Sequence, residues 1–203
     1  SDDSMTIRVT IRVQSPTPVR FVQPSEDAAP TPSLSRDLAK LLETGYGADV
    51  TLKAGDKSFR VHKILLGARS SVMKAMFDGG MWKEATASAS SEVCLPEIGS
   101  FTLERLIRFI YTGSVEDAVV GLDDWSEILI AADRFNVEEL FELAQIRIGR
   151  LLTPQNACDV LLLCSRITVA TQLKKTALDF IVREGLTPEE LDKLDPECLK
   201  EII

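Results

Sequence analysis

The chain has 203 residues, enough for one large or two small domains with a real core, and a 45% hydrophobic content excludes a disordered chain. Its 31 acidic against 23 basic residues leave a formal net charge of -8, which works against a phosphate-backbone partner, so nucleic acid is not expected. No apolar stretch approaches the roughly 20 residues a bilayer span needs, and "SDDSMTIRVT" lacks the basic and apolar regions of a signal peptide, so an intracellular chain without a membrane partner is expected.

In chain order, Met5, Ile7, Val9, Ile11 and Val13 alternate with Thr and Arg, a period of two that predicts a half-buried strand over residues 1–14. No isolated strand is stable, so its partner strands are expected to belong to a sheet domain upstream. Residues 15–32 carry five of the nine prolines among Ser, Thr and acidic residues and read as a linker. "SLSRDLAKLLETG" follows, with Leu34, Leu38, Leu41 and Leu42 on one helical face, Ser33 or Ser35 as cap and Gly45 as stop. "ADVTLKAGDKSFRVH" predicts a hairpin about Gly55-Asp56. "KILLGARSSVMKAMF" reads as helix, "EVCLPEI" as a short strand, and "SFTLERLIRFIYTG" as a helix striped by Leu103, Leu106, Ile107 and Ile110 and stopped by Gly113.

From Asp123 onward every signal is helical. Val137, Leu140, Phe141, Ala144, Ile148 and Leu151 keep helical spacing, Thr153-Pro154 reads as an N-cap with Pro at the first helical position, Thr187–Glu190 as a capping box, and Asp195-Pro196 as a further helix start. Mixed elements followed by helices predict an α+β domain over 33–152 continued by a helical extension over 153–203.

The chemistry on offer is sparse. His62, the one histidine, is open to three readings: catalytic base, metal ligand or scaffold. No Gly-x-Ser-x-Gly elbow accompanies it, and the place where a strand passes into a helix favours a histidine held by backbone hydrogen bonds. Cys94, Cys158, Cys164 and Cys198 form no Cys-x-x-Cys pair and read as free buried thiols, so no metal is expected. Neither a Walker A nor a Gly-x-Gly-x-x-Gly pattern occurs, and the acidic pairs at 123–124, 138–139 and 189–190 fall in first helical turns, where they complement the dipole. The residues describe a binding module, not an enzyme, with no cofactor.

"ADVTL", "KSFRVHKILLGARSSVMKAMF", "VCLPEI", "FTLERLIRFIYTG" and "ILIAADRFNVEELFELAQIRI" together resemble the signature of BTB (POZ) domains, in order and spacing. "LTPQNACDVLLLCSRITVATQLKKTALDFIV" resembles the 3-box and partial BACK helices of cullin adaptors, and "DDSMTIRVTIRV" is similar to the last strand of a MATH domain, which places the chain nearest the speckle-type POZ (MATH-BTB) family. The resemblance implies a homodimeric, non-enzymatic adaptor in the nucleus or cytoplasm. It would link a substrate, read by a MATH domain absent from this sequence, to cullin-3 of a RING ubiquitin ligase. A BTB oligomerisation scaffold that binds no cullin, for example in transcriptional repression, is the alternative.

Carried onto this sequence, the family's pairing mode implies a dimer surface at Leu34, Leu38, Leu41 and Leu65, with packing of the same stripe on its own domain as the other reading. The cullin contact would use the loop after "AMF". Counting from Phe77, the family's hydrophobic-x-Glu pattern falls on Met81 and Lys83, whereas a shift by one residue to Trp82-Lys83-Glu84 restores it. Trp82 is either an anchor for the partner or a cover for its own loop. Asp133, Phe135 and Asn136 in "ADRFNVEEL" are the accompanying candidates.

Overall fold

The computed structural model of the chain describes residues 33–78, 91–115 and 121–184. The expected N-terminal strand, the Pro-rich linker, the loop with Met81, Trp82 and Glu84, the signals at 187–190 and 195–196, and Cys198 lie outside the described residues.

Helix α1 (Ser33–Thr44) leads into β1 (Val50–Ala54) and β2 (Lys57–Val61), an antiparallel hairpin with Val50 opposite Val61 and Ala54 opposite Lys57. Gly55 takes the first turn position at φ +54°, a conformation that is cheap for glycine and matches the twist of a two-residue hairpin. Two helices, α2 (Lys63–Arg69) and α3 (Ser71–Asp78), precede β3 (Ser91–Cys94), which joins the far side of β1 in parallel to give the order β2-β1-β3.

One continuous helix is expected over "KILLGARSSVMKAMF", but the structure breaks it at Ser70, whose backbone is extended at φ -140°, ψ 110°. The buried Ser70 hydroxyl explains the break. It donates to the Phe135 carbonyl at 2.5 Å and accepts the Met73 N–H at 3.0 Å, ending one helix and capping the next.

Helix α4 (Ser100–Thr112) lies at the centre, packed against α1, α2, β1 and α5. Its Leu103, Leu106, Ile107 and Ile110 stripe joins Val50, Leu52, Val61 and Val93 of the sheet in one buried cluster. Gly113 at φ +71° ends it, its N–H returning to the Phe109 carbonyl. The Ser35 hydroxyl, one of the two expected caps of α1, donates across to the Thr112 carbonyl at 3.0 Å, where α4 runs out of internal donors.

Helices α5 (Leu122–Arg134) and α6 (Glu138–Arg150) pack on one another, and α7 (Ala157–Arg166) and α8 (Thr171–Glu184) follow, with α8 against α6. Helix α7 starts three residues later than the Thr153-Pro154 signal predicts. Residues 154–156 form a turn instead, tied by the Thr153 N–H to Asn156 Oδ1 at 2.8 Å and by Asn156 Nδ2 to the Leu151 carbonyl at 2.9 Å. Cys158 and Cys164 are buried and in no disulfide, but Cys94 is exposed, a correction to its expected burial: on β3 it alternates with the inward Val93.

Candidate protein-interaction site

His62 stands where β2 passes into α2 and is 9% exposed. Its backbone N–H donates to the Tyr111 hydroxyl at 2.9 Å, its Nδ1 lies 2.7 Å from the same oxygen, and its Nε2 lies 2.8 Å from the Tyr46 carbonyl. A neutral ring protonated on Nε2 satisfies all three: Nε2–H donates to Tyr46, and the Tyr111 hydroxyl accepts from the backbone while donating to Nδ1. Burial and the nearby Asp49 charge hold the Tyr111 phenol above its ordinary range, against the opposing effect of the His62 N–H bond. The ring therefore works as a bracket between the turn after α1 and the C-terminal half of α4. Of the three readings of His62, scaffold fits this geometry, with a side-chain hydroxyl supplying one of the bonds expected from backbone.

A second junction ties the α2–α3 corner to the α5–α6 corner. Besides the Ser70 bond to Phe135, Asn136 Nδ2 donates to the Ser71 hydroxyl at 2.7 Å, and Arg69 forms an ion pair with Glu139. Asn136 sits at φ +50°, a left-handed conformation that asparagine tolerates better than most residues, and this lets the chain turn between the helices. Three candidates meet here with different roles. Asp133 and Asn136 are exposed, whereas Phe135 is 2% exposed and belongs to the core, so its side chain is unavailable as a surface contact. Its apolar character and its place between two polar neighbours in "DRFN" are the signals for burial.

The four leucines expected at a dimer surface separate by exposure. Leu34 is 69% exposed, while Leu38 and Leu65 are half-buried against the domain's own core and Leu41 is half-buried. Two apolar residues absent from the sequence reading stand out more: Ile64 at 79% and Tyr46 at 81% exposed, on either side of the His62 bond to the Tyr46 carbonyl. "KILLG" offers three consecutive apolar residues, and sequence alone does not say which of them faces out. Met81, Trp82 and Glu84 follow Asp78, the last residue of α3. Among the described residues no group of three or more His, Cys, Asp or Glu stands together to hold a metal, and no helix is long and apolar enough to cross a membrane.

A small sheet beside a helical core, with polar corners and exposed apolar side chains, agrees with the comparison to known families: the model described as BTB/POZ domain matches residues 38–149. The chain belongs to the BTB/POZ domain family. A curated relative, TD and POZ domain-containing protein 4 from Mus musculus, is 31% identical over 150 residues, covering 74% of this chain and 39% of that protein, so the chain spans well under half the relative's length. Among solved structures, the BTB domain of zebrafish PATZ1 matches with a TM-score of 0.46 at 24% identity, over 57% of this chain and 88% of that one. A BTB/POZ domain is a protein-interaction domain, and the exposed residues above are its candidate contacts.

Proposed function

We propose that the chain is the homodimeric substrate-adaptor core of a cullin-3 RING ubiquitin ligase, of the MATH-BTB kind, with α7 and α8 as its 3-box and partial BACK helices. The observation that carries this reading is the polar junction of Ser70, Ser71 and Asn136. It holds the exposed Asn136, three residues after Asp133, beside the start of α3, the helix that ends at Asp78 just ahead of Met81, Trp82 and Glu84 in sequence. The two segments assigned by resemblance to a cullin surface are thus joined through one helix of eight residues, about 12 Å long. The name of the mouse relative, which pairs a TD with a POZ domain, supports a second domain in the whole protein.

Dimerisation uses Leu34, Leu38 and Leu41 of α1 and Leu65 of α2, extended here by Ile64 and Tyr46. The partner on the cullin side is the N-terminal domain of cullin-3, with Trp82 as aromatic anchor and Glu84 as hydrogen-bond acceptor. Aromatic anchors typically lose on the order of 2 kcal/mol or more on truncation, about thirtyfold in affinity, while exposed charged residues lose less. Calorimetry against that domain is expected to show Trp82→Ala at least thirtyfold weaker than the parent and Lys83→Ala close to it, with both variants dimeric. Equal affinity of Trp82→Ala and the parent rejects the shifted motif and moves the test to Met81→Ala. A dimeric parent that binds no cullin favours the second reading, an oligomerisation scaffold.

A further inference from the structure

The β2 edge of the sheet is unpaired among the described residues, and the residues along it are complementary to an extended peptide. Ala54 and Lys57 close the two-residue turn, so they form a hydrogen-bonded pair, and the pairs alternate from there. Leu52 with Phe59 and Val50 with Val61 then exchange bonds, while Ser58 and Arg60 turn their N–H and C=O groups away from β1. Two observed bonds fix this phase: the Leu95 N–H reaches the Lys53 carbonyl at 2.8 Å on the β3 side, and the Asp49 N–H reaches the Val61 carbonyl at 3.1 Å on the β2 side. Since β2 is an outer strand, the backbone groups of Ser58 and Arg60 face the open edge, and they have no bond across it among the described residues.

A cavity of about 340 Å³ opens along that edge, between β2, the C-terminal half of α1 and α4, with Leu42, Phe59 and Ile107 as its apolar lining. We propose that this edge binds an extended segment of a partner protein as a fourth strand, one that alternates apolar residues with an acidic residue opposite Arg60. Each part of that pattern has a cause. A residue opposite Phe59 points to the core side of the sheet, towards Leu42 and Ile107, whereas the next residue, opposite Arg60, meets an exposed cation at the cavity's rim that has no ion-pair partner among the described residues. Glu104, paired with Lys57 at 3.0 Å, and Glu43 line the cavity together with Arg60 and Arg108, so its charges balance and Arg60 is the cation that lies on the edge strand itself. Arg60 sets the place of the acid, and main-chain bonds to Ser58 and Arg60 supply the rest of the recognition.

The probe is a capped, fluorescein-labelled peptide Thr-Val-Glu-Val-Thr-Val, compared by anisotropy on the full chain with its Glu-to-Lys counterpart. The glutamate peptide is expected to bind at least threefold tighter, and Arg60→Glu, a change at an exposed site, to reverse the order. N-methylation of the peptide's edge-facing amides is expected to abolish binding, and hydrogen exchange to slow in residues 57–61. Equal binding of the two peptides, an order unchanged by Arg60→Glu, or protection only outside 57–61 overturns the proposal. Protection of 57–61 that rises with protein concentration before any peptide is added also overturns it, because the occupant is then a second copy of the chain.

Discussion

Single hydroxyls and thiols carry much of what holds this domain together. Ser70 is 1% exposed and serves two groups at once, the Phe135 carbonyl and the Met73 N–H. Ser70→Ala strips both of their partner, and a buried polar group left unpaired costs roughly 1–3 kcal/mol. Urea denaturation is expected to show that loss, while the exposed Ser71→Ala is expected to stay within about 0.5 kcal/mol of the parent. Cys164 gives the alkaline limit. Burial pushes its thiol up to about 11 from an ordinary 9.0, partly offset by Lys174. The folded state therefore keeps a proton that the unfolded state gives up first, so this contribution to stability is whole below pH 9 and is lost as pH rises through about 11. Tyr111, whose phenol is also raised, acts in the same direction above its ordinary 10.0. Stability measured between pH 8.5 and 11 is expected to fall, and Cys164→Ala to flatten the earlier part of the fall. A slope unchanged by that substitution contradicts the assignment.

At the scale of elements, legibility followed how local the cause was. The hairpin could be read because Gly55-Asp56 punctuates two alternating runs, and the α4 stripe because four apolar residues share one face before Gly113. The division of α2 from α3 could not, since "LLGARSSVMK" keeps helical patterning throughout and the break rests on a hydrogen bond to Phe135, 65 positions away. The exposure of the apolar stripe was half legible for a similar reason. Periodicity identifies the stripe of α1 without saying how much of it the domain itself covers. Leu38 and Leu65 pack on their own core, so a charge at either tests folding together with pairing. Leu34 and Ile64 are the cleaner probes, being 69% and 79% exposed. Leu34→Asp with Ile64→Asp is expected to leave the thermal midpoint of the monomeric fold nearly unchanged while placing two unpaired charges in a desolvated dimer surface. Sedimentation at micromolar concentration is then expected to show dimer for the parent and monomer for the double variant, whereas a double variant that remains dimeric moves the pairing surface elsewhere.

For the whole molecule, the sequence suggests a boundary at residue 152, between a mixed α+β domain and helices that follow it. The packing runs across that point. Val160, Cys164, Ile167, Ala170, Leu173 and Ala177 share one buried cluster with the sheet and α4, and only Ala157, Cys158, Leu161 and Ile181 form a separate small one. The join is close: the Leu173 N–H donates to Gln145 Oε1 at 3.2 Å, and Ala144 and Ile148 of α6 are both 0% exposed. Periodicity showed α6 to be amphipathic but not that α8 is its cover. A core shared in this way predicts cooperative behaviour. The full chain is expected to unfold in a single transition by calorimetry, with calorimetric and van't Hoff enthalpies equal. Ending the chain at Leu152 uncovers the α6 face, and restoring water to one isoleucine and its neighbours costs about 2–4 kcal/mol. The truncated domain is therefore expected to melt several degrees lower and to gain affinity for an apolar dye. Val182→Asp, on the outer side of α8 at 68% exposure, is expected to change neither property. Two separate transitions in the full chain, or an unaltered midpoint after truncation, would instead mean that α7 and α8 fold apart from the helices they lie against.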